Sequence, residues 1–382
     1  MPNHPVEQPP FTEPNANAND FDCIKCGAQM AFDAAHGCMA CQYCGNKMEV
    51  NGDDSAPTAT IVEHDLEHGI AEASTRGLGV ELRTTECREC GARVSFDSSV
   101  TATFCEFCGS TQVMQQEANR NLIRPESLLP FGVEQADAKG RFKSWIGGLW
   151  FRPSDLKQRA NLGQISGVYV PYWTFDAWAD SRWTAQAGHY YYVEEQYKDA
   201  NGNAQTRRRR ETRWEPAWGS RRDHYDDVLV CASKGLPVEL AEKLKTFDTT
   251  KLIPYAPGYL AGWRAEEYAL PLNEGWAKST TRIEGDQRSR CGNDVPGDTQ
   301  RGLNVATRLS ETTFKHILLP LFIASYRYKG EVFRFVVNGQ TGEVSGRAPW
   351  SWVKIAAAVI LALVLLTCLI GGMSLIGGGD GG

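Results

Sequence analysis

The 382-residue sequence lacks an excess of positive charge, a phosphate-cradling glycine loop and a nucleophile elbow. Lys precedes Ser or Thr at Lys143, Lys245 and Lys278, but none follows the glycine pattern of a P-loop, and no Gly-Xaa-Ser-Xaa-Gly occurs. P-loop nucleotide hydrolysis and the serine-hydrolase elbow are therefore excluded. Net charge is −6, and residues 1–120 carry 7 Lys and Arg against 18 Asp and Glu, so the front is at −11 and the remainder at +5. An acidic front repels phosphate backbones, and nucleic acid is not the expected partner. Histidine is scarce, and His189, His224 and His316 are scattered singly, as structural histidines are. No small-molecule site is legible. The first 20 residues have neither the positive nor the apolar region of a signal peptide; polar and rich in Pro and Asn, they are expected to be disordered.

Cysteine is abundant and clustered. Nine of 12 cysteines precede residue 110, and eight of those form four Cys-Xaa-Xaa-Cys pairs. The run "CIKCGAQMAFDAAHGCMACQYCG" lies over "CRECGARVSFDSSVTATFCEFCG" at an offset of 64 residues, an internal repeat. Cys23, Cys26, Cys41 and Cys44 match Cys87, Cys90, Cys105 and Cys108. Each pair puts two sulfurs on one tight turn, and a glycine after it allows the left-handed backbone. Two such turns joined by a hairpin give the tetrahedral ligand set of a zinc ribbon, so two structural Zn2+ ions are predicted. A module of about 25 residues is too small to bury a core, and zinc binding worth about 10–16 kcal/mol supplies its folding energy. Four ligands close each site, which argues against catalysis by the metal. Zinc thiolates also need a reducing compartment. Cys38, aligned with Ala102, is surplus; its default reading is a small buried residue, with a swap for Cys41 as the alternative.

Two other motifs invite function. His64, Glu67 and His68 match the His-Xaa-Xaa-Glu-His pattern of inverted zinc peptidases, although Gly69 follows at once in an acidic connector. The basic run Arg207–Arg210 reads as the exposed limb of a long hairpin or as a patch for anionic lipid or nucleic acid. Elsewhere, Glu134–Leu149 has helical apolar spacing, "GVYVPYWTFDAWA" reads as a strand, and "ILLPLFIASYRYKGEVFRFVVNGQTGEV" reads as two strands and an Asn-Gly turn. Pro130, Pro171 and Pro320, each after two apolar residues, predict strand starts or edges.

The C-terminus carries 22 uncharged residues, Ile355–Ile376, with Trp350, Trp352 and Lys354 in front. Such a run predicts a transmembrane helix, and Arg347 and Lys354 ahead of it against Asp380 behind predict a cytoplasmic N-terminal bulk. The expected class is α+β: a disordered N-terminus at 1–20, ribbons at 21–50 and 85–115, linkers at 51–84 and 116–126, and a mixed domain with antiparallel strands at 127–349. A single-pass tail anchor at 350–376 in the plasma membrane and a short tail at 377–382 complete it, with the lipid bilayer as partner through 355–376.

With its doubled CxxCG knuckles, "GVYVPYWTFDA", "DDVLVCASKGL", "LLPLFIASYRYKGEVFRFVVNGQTGEVSG" and terminal run, the chain resembles bacterial membrane-anchored zinc-ribbon proteins, often labelled transcription-factor-type or primosomal-helicase-like. The resemblance implies the eight paired cysteines as ligands and a non-enzymatic partner of phage-shock-type and SPFH-type proteins in envelope stress. The leading expectation is a membrane-anchored adaptor that recruits cytoplasmic proteins. The alternatives are a nucleic-acid-binding module and, more remotely, a metallopeptidase using His64, Glu67 and His68.

Overall fold

The computed structural model describes residues 22–33, 36–50, 61–67, 77–78, 83–96, 104–119, 121–153, 165–198, 204–244, 246–328 and 331–376. The first repeat forms a three-stranded sheet of β1 (Met30–Asp33), β2 (Cys38–Cys41) and β3 (Lys47–Glu49). It is followed by β4 (His64–Asp65); the second repeat lies among β5 (Arg83–Cys87), β6 (Arg93–Phe96) and β7 (Val113–Glu117). Then come β8 (Ser127–Leu128), helix α1 (Gln135–Gly148), and the long strands β9 (Ser166–Lys198) and β10 (Ala204–Tyr225). A mixed stretch follows with β11 (Val230–Cys231), α2 (Val238–Lys243), β12 (Ile253–Pro254), β13 (Arg264–Glu266) and α3 (Leu272–Asp294). The chain closes with β14 (Thr299–Tyr328), β15 (Glu331–Asn338), β16 (Val344–Gly346) and α4 (Trp352–Ile376).

This architecture corrects the expected α+β class. Strands take 45% of the described residues against 23% in helices, and β4 to β16 all join one mixed 13-stranded sheet. The second repeat is part of it, because β6 pairs with β13, which runs parallel to β9. The spine is the antiparallel pair β9–β14, in register from Ser166–Ile323 to Thr299–Gly188, with irregularities at Arg301/Asn304 and Ser310/Thr313. Glu311, at φ 51°, marks the second of these. Pro171 and Pro320 lie inside this pairing rather than at starts or edges: Pro171 faces Leu318 and Pro320 faces Tyr169. Their carbonyls are used, by the Ala232 and Gly339 N–H groups.

Alternation along β9 sorts the layers. At its base both faces are buried: Val168, Val170 and Tyr172 pack with the second cysteine repeat and with Leu240, Ala241 and Leu244 around α2, while Tyr169 packs with Ala138, Phe142 and Ile146 of α1. Burial on both faces explains why this segment reads as a continuous apolar run. Further out, α3 covers the odd-numbered face, where Trp183, Ala185 and Ala187 meet Cys291 and Val295. Asp180, Arg182, Thr184 and Gln186 on the even face are exposed.

The C-terminal run is helical, but among the described residues no helix is long and apolar enough to cross a membrane. Crossing takes about 20 apolar residues, and Lys354 places a charge in the first turn of α4. The transmembrane span, tail anchor and single-pass plasma-membrane placement expected from sequence are therefore not sustained.

His316 offers a test of core packing. It is 2% exposed, its Nδ1–H donates to the Ile123 carbonyl at 2.8 Å, and burial pushes its pKa down to about 4. Because the folded value lies below the unfolded one of about 6.5, the neutral ring's full contribution is present above about pH 6.5 and is lost as pH falls through about 4. Urea unfolding of His316→Gln should show a flatter stability profile than wild type across that window, the difference reaching roughly 2–3 kcal/mol. Parallel profiles would contradict it.

Candidate metal centres

The four knuckles share one backbone pattern. In each, the glycine after the second cysteine donates its N–H to the first cysteine's carbonyl: Gly27 to Cys23 at 2.7 Å, Gly45 to Cys41 at 2.9 Å, Gly91 to Cys87 at 2.8 Å and Gly109 to Cys105 at 2.8 Å. The φ values of these glycines, 69–74°, lie in the left-handed region that a side chain disfavours. Each first cysteine's own N–H donates two positions past the second, as Cys23 does to Ala28 and Cys105 to Ser110, both at 2.7 Å. The knuckle thereby aims both sulfurs to one side.

The structure brings together all eight predicted ligands, in two groups. Cys23, Cys26, Cys41 and Cys44 form one, and Cys87, Cys90, Cys105 and Cys108 the other, with ligand atoms within 4.8 Å of one another. Cross-knuckle sulfurs are 3.4 Å apart at Cys23–Cys44, 3.5 Å at Cys26–Cys41 and Cys87–Cys108, and 3.6 Å at Cys90–Cys105. A disulfide would need about 2.05 Å, and all of these cysteines are free. Sulfurs bound at about 2.3 Å around one tetrahedral ion sit a little under 4 Å apart, so the sets fit a four-coordinate metal.

The thiols' acidities express their crowding. Burial raises the Cys23 pKa, but hydrogen bonds from the Lys25 backbone and the Cys44 thiol outweigh it and bring it to about 6. Cys26 accepts the Ala28 N–H, which lowers its pKa, yet Cys41 and Cys44 push it up to about 12. In the second group Cys108 and Cys90 drive Cys105 far upward, while Cys108 is held far below the usual thiol range by hydrogen bonds with Cys105 and Cys90. Four thiols this close share protons because they cannot all ionise alone; a bound cation removes that conflict.

The two centres differ in what surrounds them. In the second, Phe107 between the knuckle cysteines is fully buried, and its carbonyl accepts Arg334 Nε–H at 2.7 Å. Glu106 beside it is paired with Arg264 at 2.7 Å. Gly235 passes so close that a Cβ there would lie 2.6 Å from the Phe107 ring. In the first centre the residue aligned with Phe107 is Tyr43, 85% exposed, and Ile24 on the other knuckle is 84% exposed. That module is held at its far end: Phe32 N–H donates to the Ala261 carbonyl at 3.1 Å, and its ring meets Tyr259 edge-on at 4.8 Å. The sequence alignment pairs Tyr43 with Phe107, but nothing in two aromatic residues announces that one is core and the other surface.

Other predicted positions do not join these groups. Cys38 is half-buried on β2 and outside the four-sulfur set. His64 is buried, donates Nε2–H to Glu126 at 2.8 Å and packs on Phe314, whereas Glu67 is exposed; His68 lies outside the described residues. Neither His64 nor Glu67 belongs to a metal-ligand group among the described residues. A carboxylate trio that sequence reading missed, Asp176, Asp226 and Asp227, meets in space. The Lys315 ammonium reaches Asp227 at 3.0 Å and Glu63 at 2.8 Å, so a cation is already supplied there by the chain itself.

No family model matches the chain, and no solved structure matches it. It is similar to the uncharacterized protein YdjG of Bacillus subtilis (strain 168), 26% identical over 362 residues that cover 92% of this chain and 98% of that protein.

Metal analysis should find two ions per chain, falling to one in Cys26→Ser and in Cys105→Ser and staying at two in Cys38→Ser. Thermal unfolding should separate the first two variants. Cys105→Ser, which opens a site inside the core, should lose several kcal/mol, and Cys26→Ser should leave the main transition in place. Equal losses would contradict the difference between the centres.

Proposed function

We propose that the protein is a non-enzymatic adaptor that holds two structural zinc ions and captures a protein partner with its first ribbon. Four thiolates in tetrahedral array suit zinc and leave no open coordination position for a substrate or water. The observation that carries the adaptor reading is the contrast between Tyr43, 85% exposed, and its repeat-mate Phe107, fully buried. The second ribbon spends its knuckle on the core, whereas the first holds Ile24 and Tyr43 out on a metal-stiffened turn. An apolar side chain fixed on a rigid loop makes an interface anchor, because little conformational freedom is lost when it is covered. The phage-shock-type and SPFH-type proteins implied by the sequence resemblance are the first partners to assay.

The experiment is a crosslinking pull-down with zinc-loaded protein in parallel with an Ile24→Ser/Tyr43→Ser variant. The variant should retain two zinc ions and the wild-type unfolding temperature while losing at least tenfold of a partner's recovery. Undiminished recovery would move the partner surface elsewhere, and a metal content other than zinc would overturn the first half of the reading.

A further inference from the structure

The run Arg207–Arg210 lies on β10, paired with β9 through Arg207–Glu195, Arg208–Glu194, Arg209–Val193 and Arg210–Tyr192. Its arginines alternate between two unlike faces. On the odd face Arg207 pairs with Glu195 at 2.9 Å, Arg209 with Glu211 at 2.6 Å and Arg213 with Glu215 at 3.0 Å. Arg207 accordingly holds the Glu195 carboxyl below its usual range. On the even face the partners are rings: Arg208 lies 5.2 Å from the centre of Tyr192, Arg210 4.3 Å from Tyr190, and Arg301 of β14 4.1 Å from Trp214. Cation–π contacts hold a guanidinium in place without cancelling its charge.

This even face continues down the three-stranded ribbon β10–β9–β14, opposite the face that α3 covers. The register sets Arg182, Arg208, Arg210, Arg222, Arg301 and Arg308 on it, against the carboxylates of Asp180 and Glu194; of these arginines Arg222 is ion-paired, with Asp180 at 3.6 Å and Glu311 at 3.5 Å. Tyr192 is 59% exposed and Trp218 76%. From Trp178 to Glu194 the strip runs about 50 Å at roughly 3.3 Å per residue.

We infer that this open face binds single-stranded nucleic acid, phosphates on the arginines and bases on the exposed rings. Charge complementarity calls for a polyanion. Flat rings alternating with guanidinium planes along an extended sheet favour one that also carries stackable bases, since an acidic peptide uses the charge but leaves the rings unmatched. A duplex hides its bases and would use the strip less well. The face lies apart from Ile24 and Tyr43 in the chain, and the inference stands independently of the adaptor reading.

The test is fluorescence anisotropy of full-length, metal-loaded protein with labelled oligo(dT) and oligo(rU) of about 20 nucleotides, titrated from about 50 to 200 mM salt. Two double variants remove the same charge from opposite faces: Arg208→Gln/Arg210→Gln and Arg207→Gln/Arg209→Gln. All are exposed positions, and retention of two metal ions checks the fold. Binding should weaken at least tenfold in the even-face variant, with the salt slope reduced by about 1.4 for two lost contacts. It should change less than threefold in the odd-face variant, and Trp218→Ala should cost about fivefold or more. The inference is overturned by absent or salt-independent binding, by equal losses from both pairs, which would reduce it to net charge, or by tighter binding of polyglutamate or anionic vesicles than of the oligonucleotide.

Discussion

Four thiols gathered inside a hydrophobic core form a constraint that little else in this molecule can satisfy. Cys87, Cys105 and Cys108 are at most 3% exposed and belong to the same packed cluster as Val168, Val170, Leu319 and Leu321 of the central spine. Buried sulfur ligands must ionise together to serve as a set, and ionising them in an apolar surround costs far more than burial returns unless a cation sits among them. Closing the second centre and packing the base of β9 and β14 are therefore one event. The ribbon is the plug of one face of the sheet, as α1 is of the other.

The same 23-residue pattern, repeated 64 positions apart, has been put to two uses. Where the sheet requires a plug, the knuckle turns Phe107 inward and is braced by Arg334 and Arg264. Where it does not, the knuckle remains a small free-standing fold resting on Tyr259 to Trp263, with Ile24 and Tyr43 turned to solvent. Duplicated metal modules can diverge in this way at low cost, because the metal holds each backbone whatever its outer side chains do. Charge follows a similar division: near its start β10 pairs arginines with glutamates on one face of the ribbon and sets Arg208 and Arg210 against tyrosine rings on the other.

The two four-cysteine groups were open to reading from sequence because knuckle geometry is local: spacing and a following glycine specify it. Helix α1 was legible for the same reason, its buried Ala138, Phe142 and Ile146 recurring at helical spacing. The architecture was not. Strands of 33 and 30 residues far exceed the usual length, and their outer halves are polar, so only the apolar part of each looked like strand. Pro171 and Pro320 pointed to edges, yet both sit in the spine. Pairing of β6 with β13 joins residues about 170 apart, a contact that no local pattern encodes. The difference between Tyr43 and Phe107 was hidden for a similar reason: burial of a ring depends on what the rest of the chain brings to it.

The most direct test of the account is hydrogen exchange followed by mass spectrometry while metal is withdrawn stepwise with a chelator. The first equivalent removed should release protection within residues 22–50 alone, leaving β9 and β14 closed; only loss of the second should open the spine. Opening of β9 and β14 with the first equivalent, or their continued protection after both ions have gone, would contradict a metal centre built into the core.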